Sequence, residues 1–146
     1  VNDLTTIYEL FKQFGDDHKM VNEFKLLNSL EDLENIEINH RGMFISLDNA
    51  NISREDGSPV YDVDFSIVVV DKVATGNSLS LINSNQENLF IIGQLQDYLI
   101  NNLSGEQNFQ EVNLQGFSAE DYNITAAVCS ATFLIGRKSS LMGIDF

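Results

Sequence analysis

The chain has 146 residues, 43% of them hydrophobic, with 22 acidic against 8 basic side chains and a net charge of −14. At roughly 150 residues a single fold buries about 70% of the surface its unfolded chain exposes, so a core needs neither disulfides nor metal. The charge excludes the usual footprint of a nucleic-acid binder, which clusters Lys and Arg, and argues against docking on an anionic membrane; no basic residue stands between Lys72 and Arg137.

Residues 3–14 place Leu4, Ile7, Tyr8, Phe11 and Phe14 at helical spacing, predicting an amphipathic helix that Gly15 stops. From Asp16 to Asn39 no clean period holds, and the reading is an irregular connection with a short helix near 30–35. Residues 42–48 alternate as a strand with Met43, Ile45 and Leu47 on one face. Residues 49–60 read as a polar excursion whose Asp56-Gly57-Ser58-Pro59 is turn chemistry.

The next strand, 61–71, holds Tyr61, Val63, Phe65, Ile67 and Val69 on one face. Its other face begins with Asp62 and Asp64 and ends with Val68 and Val70, the pattern of a strand that starts wet and finishes covered on both sides. The two runs predict a long β-hairpin with a projecting tip. Residues 74–83 read as a loop, and Ser84-Asn85-Gln86-Glu87 matches a capping box that opens a helix running to Leu103 before Ser104-Gly105. Ile92, Leu95, Leu99 and Leu103 form its stripe, widened by Ile91 and Tyr98, and Gly93 is expected to permit close approach to a neighbouring element, with the last strand as the partner surface.

Residues 109–117 and 122–135 read as the final strands. Ala127, Cys129 and Ala131 give the last one a small-residue face, while Ile124, Ala126 and Val128 lie on the other. The order helix, strand pair, helix, strand pair predicts a single α+β domain over 1–136, with a mainly antiparallel sheet and helices on one face. Residues 137–146 form a tail carrying Leu141, Met142, Ile144 and Phe146. It reads as a frayed end, a strand on the domain's own edge, or a segment that docks on a neighbour.

Catalytic and metal-binding patterns are searched for without a match. A lone Cys129 makes no intrachain disulfide, and mid-strand among alanines it reads as an apolar filler. No signal peptide is visible, although a removed one leaves no trace, and the apolar runs are far short of a membrane span. His18 and His40 lack ligand spacing, and Asp16-Asp17-His18 reads as a solvated charge run. Asp48-Asn49-Ala50-Asn51 fails as a calcium loop, since Ala50 and Ile52 fall where side-chain oxygens are needed. Gly136-Arg137-Lys138-Ser139 lacks the upstream glycine of a phosphate loop. Asp62 and Asp64 neighbour each other on the polar face of a half-buried strand, and the Asn-x-Ser/Thr triplets at Asn51, Asn102 and Asn123 arise readily in an asparagine-rich chain. The residues point to no catalytic group, no cofactor and no metal.

Three stretches do form a pattern: Met43-Phe44-Ile45-Ser46-Leu47, then Ser58 to Val73 with its valine-rich run into Asp71-Lys72, then Asn88 to Ile100. With the Leu4–Phe14 helix and Asp17-His18, they resemble small virion proteins of tailed phages of Bacteroidetes hosts, crAss-like phages included, over residues 1–135. The resemblance implies a head-to-tail joining protein similar to tail terminators or connector-ring proteins. Such a protein is assembled in the host cytoplasm and carried in the virion. Copies would close into a homo-oligomeric ring, on the order of six or twelve, between portal or connector and tail proteins, with DNA passing through the lumen and no membrane involved. The family supplies no catalytic residues.

In that setting the expected contacts are the hairpin tip, at Ile52, Arg54, Glu55 and Asp56, and the tail, at Leu141, Met142, Ile144 and Phe146. The acidity suits a channel that repels phosphate, and equally suits plain solubility. An acidic DNA mimic that inhibits a host nucleic-acid-binding protein is the alternative. It is weakened because 15 of the 22 acids precede residue 73 and scatter over several elements. An enzyme would need a pocket that gathers Asp16, His18 and another acid.

Overall fold

The computed structural model describes residues 3–35, 41–105, 107–118 and 121–135. Helix α1 (Leu4–Asp17) opens on Asp3, whose carboxylate accepts from the Thr6 amide at 2.8 Å. Its buried stripe is Ile7, Phe11 and Phe14. Gly15 does not stop the helix. It lies inside, buried against the next element, and a Cβ there would sit 2.8 Å from the Phe24 Cβ. The helix ends instead at His18, whose amide donates to the Phe14 carbonyl.

Phe24 belongs to β1 (Glu23–Leu27), a strand inside the stretch expected to be irregular. Its burial pattern shows why no period announces it: only Leu27 is buried, because β1 is a short edge strand paired in parallel with β2. A short 3₁₀ helix over Leu30–Asn35 follows, where a short helix is expected.

Strands β2 (Gly42–Glu55) and β3 (Ser58–Ala74) pair antiparallel, from Gly42 opposite Val70 to Glu55 opposite Ser58. The expected polar excursion at 49–60 is therefore strand on both sides of a two-residue turn, Asp56-Gly57, with φ of 51° and 81°. Positive φ at both positions is the mirror-image turn whose twist matches a hairpin, and Asp-Gly is its favoured sequence. Between Leu47 and Asn49 the register slips, leaving Asp48 unpaired as a bulge. Leu47 stands before the slip, opposite Phe65 and on the face of Met43 and Ile45, yet it is 44% exposed, because β1 pairs β2 no further than Ser46. The Asp48 carboxylate accepts from the hydroxyls of Ser46, at 2.9 Å, and Ser66.

Helix α2 (Ser78–Asn102) begins two turns before the expected box. Asn77 caps it, accepting from the Ser80 amide at 3.0 Å, and Gly76 at φ 82° turns the chain into it. Ser84 and Glu87 are mid-helix side chains. Ser84 donates to Asp71 at 3.0 Å and meets Thr125 at 2.7 Å. Asn88 donates to Thr125 and accepts from Arg41 Nε at 2.9 Å, while Arg41 Nη2 reaches Asp71 at 2.9 Å and Glu87 at 2.7 Å. This network pins the first half of α2 to β3 and to the last strand.

Beyond α2 come β4 (Gln107–Phe109), β5 (Asn113–Ser118) and β6 (Tyr122–Ile135). The expected strand at 109–117 is thus two pieces, both pairing β6, and the sheet runs β1-β2-β3-β6-β4 with β5 also on β6. All pairings but β1–β2 are antiparallel. The chain is an α+β fold with a mostly antiparallel six-stranded sheet and two helices.

Both helices pack on one face of it. Ile7, Phe11, Ile92, Leu95 and Leu99 meet Phe65, Ile67, Cys129 and Phe133 there, with Phe11, Phe65 and Phe133 at ring-centroid distances of 5.3–6.0 Å. The small Ala127 and Ala131 leave room for α2. On the opposite face Val68 and Val70 join Leu27, Phe44 and Ile124 under the 3₁₀ helix, so β3 is covered on both sides at that end. Gly93 does not serve the approach of helix to sheet; a Cβ there would meet nothing within 4 Å.

Candidate assembly surfaces

The distal half of the hairpin is the first candidate. From Leu47 to Glu55 every residue of β2 is exposed, whereas its first five are buried. The cause is loss of neighbours: β1 pairs β2 only through Ser46, and β3 pairs β6 only from Tyr61 onward among the described residues. Ile52, Arg54 and Glu55 lie on this bare segment and Asp56 in its turn, all exposed. Ile52 is 64% exposed, and Arg54 Nη1 donates to the Gly57 carbonyl at 3.3 Å. Leu141, Met142, Ile144, Phe146 and His40 lie outside the described residues.

A second surface lies outside those the sequence points to. Between the first half of α2 and β5 runs an open groove of about 640 Å³, with Leu81, Ile82 and Leu89 on one wall and Leu114 on the other. Ile82 is 61% and Leu114 54% exposed. Leu114 stands opposite Ala127 and so points to the helix-bearing face, but α2 lies over β3 and β6 and leaves β5 uncovered. The signal was present as apolar residues at 82 and 89, one heptad apart and off the core stripe, and as an uncharged strand at 113–118.

The residues expected to be chemically quiet have partners of their own. Lys12 pairs with Asp16 at 2.9 Å, Gln13 donates to Asp17, and the Met20 amide donates to His18 Nδ1, which leaves Nε2 as donor to Gln94 at 2.6 Å. These contacts point Asp16, Asp17 and His18 at different neighbours. Thr132 donates to Asp64 at 2.6 Å across the β3–β6 pair. Cys129 is buried; its thiol lies within donating distance of the Gln110 and Ser130 carbonyls, at 3.5 and 3.4 Å, and desolvation pushes its pKa up against the opposing contact from Gln96. Among the described residues no group of three or more His, Cys, Asp or Glu is placed to hold a metal, and no helix is long and apolar enough to cross a membrane.

No protein-family model matches the chain, and no curated protein is significantly similar to it.

Proposed function

We propose that this chain is a structural virion protein that forms a ring in the head-to-tail connector or tail-terminator region of a phage, with DNA passing through the lumen. The observation that carries the reading is the distal hairpin, which exposes both faces of β2 from Leu47 onward while the rest of the strand is core. Exposed paired strand of this length contributes little to the domain's own core, and suits contact with another subunit or layer.

A closed ring repeats one heterologous interface by rotation, so each copy needs two different contact surfaces. The α2–β5 groove supplies one such surface, and the hairpin tip suits contact with the next subunit or layer. A net charge of −14 suits a lumen whose walls repel phosphate, letting a duplex slide rather than stick. The role is structural, with neighbouring portal, connector and tail proteins as partners and no substrate turned over.

The deciding experiment is native mass of the purified chain over a wide concentration range at moderate salt. A discrete closed assembly, on the order of six or twelve copies, is expected. A chain that stays monomeric and is also missing from purified particles would sink the proposal.

A further inference from the structure

Sheet edges are normally blunted by charge, proline or cover, because their free amides and carbonyls template pairing with another strand. The two edges of this sheet differ. β1 carries Glu23 and Lys25, whereas β5 carries no charged residue and no proline. Among the described residues the outer side of β5 pairs with nothing, and every residue of the strand is exposed. Its helix-side neighbour is the apolar groove lined by Ile82, Leu89 and Leu114. An open edge beside an apolar groove is the arrangement that accepts an added strand: main-chain bonds hold it, and alternate side chains fill the groove.

The chain itself contains a segment with that pattern. In residues 142–146, Met142, Ile144 and Phe146 alternate with Gly143 and Asp145, which puts three apolar side chains on one face of an extended strand. The same molecule cannot lay the whole of that segment along β5. Gly116, mid-way along β5, is level with Thr125, ten residues back along β6 from Ile135, or about 33 Å. Ile144 is nine residues past Ile135 and reaches at most about 32 Å in a straight line, with nothing left for the reversal or for passing β4.

We infer that residues 141–146 of one copy add as a strand to the outer edge of β5 in a second copy, with Met142, Ile144 and Phe146 in the groove beside α2. The donor and acceptor surfaces differ, so the contact is head-to-tail. It rests on the ring reading only in making that second copy a ring neighbour.

The test mixes two full-length variants. Leu114→Lys spoils the groove at an exposed position and keeps the tail; Ile144→Asp spoils the tail and keeps the groove. Each alone should be monomeric by native mass where the unaltered chain assembles. The equimolar mixture should form a one-to-one pair, with the outward amides of β5 exchanging at least tenfold more slowly only in the Ile144→Asp partner. Assembly of either variant alone to the unaltered size overturns the inference and leaves the ring reading standing. So does equal protection of β5 in an isolated monomer, which would put the tail on its own chain. An unaltered chain that is monomeric throughout, with unprotected β5 amides, also overturns it. Complementation of the variants, with the unaltered chain forming open-ended chains in place of closed rings, would uphold the inference and remove the ring.

Discussion

Two glycines in helices answer opposite questions. Gly15 is where α1 touches β1, and an added methyl would press on Phe24 at 2.8 Å. Gly15→Ala should therefore lose stability by about 1 kcal/mol or more, because overpacking outweighs the gain in helix propensity. Gly93 faces open space, and Gly93→Ala should gain about 0.5–1 kcal/mol. Urea unfolding of both variants checks the contrast, and a stabilised Gly15→Ala would mean that β1 yields easily.

Cys129 offers a different test at this scale. Burial raises its thiol pKa, so the folded chain holds the proton more tightly than the unfolded one. Stability should be unaffected below the ordinary thiol value of about 8.5 and should fall as pH rises above it. Native protein at pH 8 should react with a thiol reagent far more slowly than protein in denaturant. Equal rates would show the strand opening locally.

At the scale of elements, α2 is held by Arg41 as much as by its apolar stripe. The guanidinium is 6% exposed and joins Asn88, Asp71 and Glu87. Arg41→Ala should cost about 2–4 kcal/mol, mainly through Asp71 and Asn88 losing their partner in a buried setting. Glu87→Gln should cost little, since that carboxylate is 44% exposed and screened by water. Chemical denaturation ranks the two, and similar losses would contradict the network described. The hairpin is the other element with a clear expectation. Replacing 52–57 by a short Gly-Ser turn removes exposed residues and should leave a cooperatively folded chain; under the proposed virion role, that chain no longer enters particles. Normal incorporation would take the tip out of the assembly surface.

At the scale of the molecule, the local periods carried a good deal. The α+β class, both helices, the hairpin and the two-sided covering of β3 all follow from spacings of two and of three to four residues, which neighbouring positions specify among themselves. The early apolar stripe of α1 and the valine run of β3 need no distant information to choose their faces. Gly15, by contrast, reads as a helix stop until Phe24 is known to press on it, and Ser84-Asn85-Gln86-Glu87 reads as a cap until Asp71 and Thr125 are seen to occupy Ser84. Residues 49–55 hide as strand because both faces of β2 are exposed there, which leaves no apolar alternation, and the extra residue at Asp48 shifts the pairing register besides. β1 stayed hidden since an edge strand buries too little to leave a pattern.

The candidate surfaces divide in the same way. Sequence by itself determined the turn at Asp56-Gly57, the polar hairpin flanks, the acidity and the apolar tail, all local properties of the chain. Only the tertiary structure decided that β2 has no β1 beside it from Leu47 onward, and that α2 covers β6 but not β5. Whether Ile82 and Leu114 are core or open groove depends on where a helix lies across a sheet, and that position is set by packing among residues far apart in the chain.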